Sequence, residues 1–172
     1  MKMRFRLSLL AVIILFVLTG CDSGDPADEA RHSDVAGEYR FTEFVFTPTA
    51  QVVQPINVLD TLVTSDTHLN LSSGGNFIFA YKFVEGDLYF LTGSFSVTER
   101  TVRIDGLTEN RSLYSQILLR EDFTLRRDET NPNVLTADIE LTDVNPSAFS
   151  DRYKGIGSLD GTLSLRLVIR QQ

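Results

Sequence analysis

The chain predicts an all-β protein, an antiparallel up-and-down meander closing into an approximately eight-stranded barrel, with a two-sheet β-sandwich as the alternative. Three observations point there. From Val35 onward apolar residues recur at every second position in segment after segment, the mark of strands with one face buried and one wet. Short turns rich in glycine, asparagine and aspartate separate many of these segments, so successive strands are hairpin neighbours. No long run of three-four spacing supports a major helix.

The first strand opens at Gly37-Glu38-Tyr39. Tyr39 and Phe41 share one face and Phe44 and Phe46 the other, an offset that a bulge near Thr42 or Glu43 reconciles. Thr47 to Asp60, with Pro48 and Pro55, reads as a long connection able to cover an open end of the sheet. Leu62 and Val63, then Leu69 and Leu71, add one or two strands before the turn Ser72-Ser73-Gly74-Gly75. Asn76 to Val84 aligns Phe77, Phe79, Tyr81 and Phe83; Tyr89 to Val97 aligns Tyr89, Leu91, Gly93, Phe95 and Val97. Glu85-Gly86-Asp87-Leu88 joins the two as a hairpin. Val102 and Ile104 follow a turn at Glu99-Arg100, and Ser112 to Arg120 fits either a strand or a short helix. Phe123 and Leu125, then Leu135 to Leu141 after Asn131-Pro132-Asn133, and Leu163 to Ile169 after Asp160-Gly161 complete the meander. Eight or nine strands in sequential order can hide their edges by closing, and an eight-stranded interior is either filled by side chains or holds one small ligand.

The amino-terminal segment is of a different kind. Lys2, Arg4 and Arg6 precede an apolar run from Leu7 to Leu18 that only Ser8 interrupts. The run is shorter than the roughly 20 residues needed to cross a bilayer, and its layout is that of a secretory signal. It ends in Leu18-Thr19-Gly20 before Cys21, the one cysteine of the chain. This resembles the lipobox of bacterial lipoproteins, in which small residues precede a cysteine that is diacylated, exposed by cleavage and then acylated on its new amino terminus. The resemblance implies a signal peptide over residues 1–20, lipidation at Cys21 and attachment to the bacterial cell envelope. An acidic stretch after the cysteine resembles sorting signals for the outer membrane. Asp22 to Asp34 is polar and acidic and reads as a flexible tether, so residues 21–34 form the anchored linker and residues 35–172 the barrel domain.

Without residues 1–20 the chain keeps 152 of its 172 residues, the size of one domain. Lys2, Arg4 and Arg6 leave with the signal, so thirteen of the sixteen basic residues face twenty-three acidic ones, a formal charge of −10. That balance excludes nucleic acid as a partner and argues against electrostatic docking on anionic lipid.

Four short units, Gly37-Glu38-Tyr39, Gly74-Gly75-Asn76-Phe77, Gly93-Ser94-Phe95-Ser96-Val97 and Asp160-Gly161-Thr162-Leu163, carry a second likeness. Spread over most of residues 35–170, they resemble the lipocalin-like lipoproteins of the calycin group. Tyr39 stands where that family carries the tryptophan of Gly-x-Trp, and the chain has no tryptophan. Arg166 or Arg170 would supply the arginine that packs over that ring. The resemblance implies a barrel that takes a small apolar molecule through its mouth, with Phe77, Phe79, Tyr81, Phe83, Tyr89 and Phe95 as its aromatic interior. The residues themselves also allow the same stripe to be filled core, the commoner arrangement for aromatics at strand spacing.

Catalytic signals are absent. His32 falls in the tether and His68 near a turn, so neither has the company of a nucleophile. Asp138 and Glu140 lie on the polar face opposite Leu135, Ala137, Ile139 and Leu141, which reads as solvated surface. Gly155-Ile156-Gly157 leads toward a strand, whereas a dinucleotide fingerprint opens a helix. The tether aspartates lack calcium-loop spacing, and there is no zinc spacing. The expectation is therefore a non-enzyme without metal or cofactor, a lipid-anchored module binding a small hydrophobic or amphipathic ligand. The alternative is a structural or assembly accessory of the envelope that acts through contacts with a partner protein.

Overall fold

Alternation becomes a closed wall. The computed structural model describes residues 30–51 and 53–170, and it contains nine strands: β1 (Gly37–Pro48), β2 (Ile56–Asn57), β3 (His68–Leu71), β4 (Asn76–Lys82), β5 (Leu88–Val97), β6 (Thr101–Gly106), β7 (Asp122–Arg127), β8 (Val134–Val144) and β9 (Leu159–Ile169). Neighbours run antiparallel in the order β1-β3-β4-β5-β6-β7-β8-β9, and β9 returns to pair with β1. Eight strands thus close into a barrel, and β2 adds a short flap on β1 through Val45↔Asn57 and Phe46↔Ile56. Closure removes the open edges that a two-sheet sandwich would leave.

The seam between β1 and β9 runs from Tyr39↔Ile169 to Pro48↔Gly161, with a register shift between Phe41 and Glu43. This bulge brings Phe44 and Phe46 into the same interior as Tyr39 and Phe41, all four buried. By contrast, β7 and β8 pair only at Arg126↔Thr136 and Arg127↔Leu135. Beyond that point the wall parts.

Several connections differ from the reading by pattern. The stretch after β1 contributes β2 and a helical turn, α1 (Val58–Thr61), whose Asn57 side chain accepts the Leu59 N–H at 3.3 Å. Leu62 and Val63 form no strand; Val63 makes a single bridge to Phe83. Between β6 and β7 the short helix α2 (Arg111–Ser115) forms, and it carries Tyr114 inward, followed by Ile117, both with no exposed surface. His32 belongs to the fold, not to a linker: residues His32–Asp34 make a 3-10 turn. The His32 Nε2–H donates to the Phe95 carbonyl at 3.0 Å, and its ring meets Phe95 edge-on at 5.0 Å.

Strand direction sorts the connections into two ends. Tight turns at 72–75, 98–100 and 128–133 lie at one end, where the chain also enters at His32. The long connections 49–67, 107–121 and 145–158 lie at the other, with the β4–β5 turn. That second end is the mouth.

Candidate functional site

The interior is packed ring against ring. Phe79 stands at its centre, with ring centroids of Phe41, Tyr81 and Tyr114 at 5.6, 5.7 and 6.4 Å. Two glycines make room for this. Gly93 and Gly106 face each other across β5 and β6. A Cβ on Gly93 would stand 2.7 Å from Phe77 Cε1, and one on Gly106 2.9 Å from Tyr114 Cζ. Both positions therefore exclude any side chain while the two rings keep their places.

Of the aromatic stripe read from the sequence, Phe77, Phe79, Tyr81 and Phe95 are core. Tyr89 is half-buried and stacks on Tyr81 at 5.3 Å, and Phe83 meets both Tyr81 and Tyr89 edge-on. Tyr81 donates to the Leu113 carbonyl at 3.2 Å. Burial, with the neighbouring Tyr89 phenol adding to it, pushes the Tyr81 phenol up to about 12. Tyr114, whose hydroxyl has no partner among the described residues, is raised further still, again by burial first and then by the Tyr81 phenol. Both rings stay neutral over the physiological range.

Open space lies outside the packed interior, as a depression of about 690 Å³ on the outer face of β4 to β6 between Ile78, Thr92, Asp105 and Leu107, and as two clefts at the mouth. One cleft of about 720 Å³ is walled by Thr61 and Leu62 after β2, Phe83 to Glu85 of the β4–β5 turn, Gln116, and Ala148 to Asp151. A second, of about 330 Å³, lies where β7 and β8 part, between Leu118 and Leu119 on one side and Leu141 to Asn145 on the other. Leu62, Gln116, Ala148 and Phe149 line both. Among the described residues, the non-glycine positions with left-handed backbone are Leu118 (φ 63°) and Asp143 (φ 57°), and both line the second cleft. Aspartate tolerates that region; a leucine there is strained, and such strain gathers at functional sites.

Of the stripe, Phe83 alone borders the larger cleft, and none borders the second. Apart from Leu141 to Val144 at the end of β8, the other lining residues come from connections in which alternation gives no guidance. A usable signal was Phe149, an aromatic residue in a polar loop behind Pro146; it is buried and stacks on Phe46 at 6.2 Å.

The remaining polar residues have structural partners. The His68 Nδ1–H donates to the Asp66 carbonyl at 2.7 Å. Asp138 accepts from Ser164 at 2.8 Å and Glu140 from Thr162 at 2.9 Å, along the outer face of β8 and β9. Tyr39 is buried, donates to the Val35 carbonyl at 3.1 Å, and its phenol is raised by burial against the opposing charge of Arg127. Arg170 is held by Glu38 at 2.8 Å, and this hydrogen bond lowers the Glu38 carboxyl. Among the described residues no three histidine, cysteine or carboxylate side chains gather in a metal-binding group. Cys21 lies outside the described residues.

No family model matches the chain, and no curated protein does. Among solved structures, it is similar to a lipocalin-like protein from Bacteroides uniformis, 16% identical, with a TM-score of 0.42 over 76% of this chain and 97% of that one.

Proposed function

We infer that the protein is an exported, lipid-anchored barrel that binds a small amphipathic ligand in the clefts at its mouth, not down its axis. The observation that carries this is the convergence of both clefts on Leu62, Gln116, Ala148 and Phe149, beside the strained Leu118. Their volumes fall in the range of small-molecule sites, on the order of 300–1,000 Å³. Leu62, Phe83 and Phe149 offer apolar surface to the body of a ligand. The charged residues of the larger cleft are Glu85 and Asp151, the latter paired with Lys154 at 3.0 Å, so the polar end of the ligand is neutral or cationic. No chemical step is assigned to the site.

Acylation at Cys21 supplies the anchor, in the bacterial envelope and, by the acidic residues that follow, at the outer membrane. A Cys21→Ala chain is expected to lose palmitate labelling and leave the membrane fraction; retained labelling refutes the anchor. For the ligand, native mass spectrometry of the full chain recovered from its own membranes is the test. A stoichiometric amphipathic molecule supports the reading, and ligand-free protein contradicts it.

The second reading, an assembly accessory acting through protein contacts, is favoured by a different observation. The barrel is packed inside, while its outer wall exposes Ile78, Leu88 and Phe90. Ligand-free protein with a stoichiometric protein partner selects it.

A further inference from the structure

The outward positions of β3, β4 and β5 form a wall unlike the rest of the molecule. They are His68 and Asn70, then Asn76, Ile78, Ala80 and Lys82, then Leu88, Phe90, Thr92, Ser94 and Ser96. No carboxylate occurs among them; the nearest on the neighbouring strand is the exposed Asp105 of β6, paired with Ser94 at the border of the wall. The opposite wall, four strands away around the ring, carries Asp138 and Glu140. Ile78, Leu88 and Phe90 are 45%, 54% and 62% exposed, and Leu107 (45%) joins them where its N–H meets the Thr92 carbonyl. Register joins the strip across the strands through the pairs Ile78↔Thr92, Ala80↔Phe90 and Lys82↔Leu88, with Ala80 itself covered and Phe90 carrying the exposed surface at that level.

The strip also lies within reach of the anchor. The chain enters the fold at His32, against Gly75 and Phe95, one residue from the start of β4. Nine Cα steps separate Cys21 from Ala30, a span of at most about 30 Å, and β4 itself is about 20 Å long. An acylated Cys21 can therefore sit in a bilayer against any part of this wall.

We propose that the outer wall of β3 to β5 is a lipid-contact face, on which the anchored barrel lies side-on against the headgroup region with Phe90, Ile78 and Leu88 dipping into the interface. This rests on the anchoring of Cys21. Apolar side chains without carboxylates suit an interface where acidic groups lose hydration, and Lys82 at the edge keeps its amine in the headgroups. The mouth lies at the end of the barrel and meets this wall at the β4–β5 turn, whose Phe83 to Glu85 line the larger cleft.

The experiment uses the full acylated chain in vesicles of neutral phosphatidylcholine, with an environment-sensitive nitrobenzoxadiazole probe on either Thr92→Cys or Glu140→Cys. Cys21 is the only native cysteine, so an acylated chain leaves a single free thiol. The expected result is blue-shifted emission, quenched by brominated lipid, at position 92 and aqueous emission at position 140. The double substitution Ile78→Ser with Phe90→Ser, at exposed positions, returns the first probe to water while the protein still floats with the vesicles. Acylated protein that floats but leaves both probes in water overturns the proposal and spares the anchor. A chain without acyl groups by mass spectrometry overturns the anchor and this face with it. Shielding of position 92 that brominated lipid does not quench and that grows with protein density assigns the wall to a second copy and overturns the lipid face.

Discussion

Truncating Phe79 to alanine separates a filled barrel from a hollow one. Phe79 is 1% exposed, and its ring is surrounded by those of Phe41, Tyr81 and Tyr114. Removing a ring so enclosed forfeits its transfer free energy and leaves a void that β4 cannot close, because Leu69 and Leu91 pin it on either side. Buried phenylalanine-to-alanine changes of this kind cost about 3–5 kcal/mol. For a domain of this size that lowers the melting temperature by about 6–20 °C, at about 2–4 °C per kcal/mol. Urea unfolding read by circular dichroism should show a lower midpoint with an unchanged slope, the sign of lost stability within the same fold. Phe79 lines neither mouth cleft, so ligand affinity should survive in the folded fraction. A loss below about 1 kcal/mol would refute the packed interior, since a ring lining empty or ligand-filled space has fewer contacts to forfeit.

Two further perturbations probe the same core. Gly93→Val places a branched side chain against Phe77 and the backbone of Gly106, and overpacking of this kind costs about 1–3 kcal/mol; a thermal melt at or above the wild-type temperature refutes the close approach. Alkaline pH acts through the phenols. The folded Tyr81 ionises near 12 and an unfolded tyrosine near 10, so its contribution is whole below about pH 10 and disappears as pH rises through about 12. Tyr81 alone removes about 2–3 kcal/mol across that window, and Tyr114, raised for the same reason, steepens the fall. Phenolate absorbance should therefore appear together with unfolding in a pH titration; ionisation of all five tyrosines in a folded protein contradicts it.

How much of this was legible in the sequence follows from which contacts are local. Alternation in β4 and β5 assigns Phe77, Phe79, Tyr81 and Phe95 to the interior because each strand residue has only two faces to choose from. The bulge in β1 was visible too, since Phe41 and Phe44 break parity and both must be buried. α2 was legible only as one of two alternatives, strand or short helix, because five residues are too few for helical periodicity to choose; the inward turn of Tyr114 was not, since it depends on the space that Gly106 leaves. Nor were the clefts, because Leu62, Gln116, Ala148 and Phe149 come from three connections that meet only once the ring closes. His32 was assigned to the linker for its polar company, whereas its partner Phe95 lies 63 residues away. Those are non-local facts, settled by closure and invisible to period.

The central claim is that the mouth, not the axis, takes the ligand. The direct measurement is a titration of the full chain with a dansyl-labelled alkylamine, an amphiphile with a cationic end to match Glu85 and Asp151. It compares the wild type with Phe83→Ala, at the larger cleft, and with Phe79→Ala, in the core. Saturable binding at one molecule per chain is expected, weakened about tenfold or more by Phe83→Ala, as the loss of an aromatic contact worth about 1.5–3 kcal/mol requires, and kept by Phe79→Ala. Binding that Phe79→Ala abolishes and Phe83→Ala leaves intact would place the ligand inside the barrel and contradict the account.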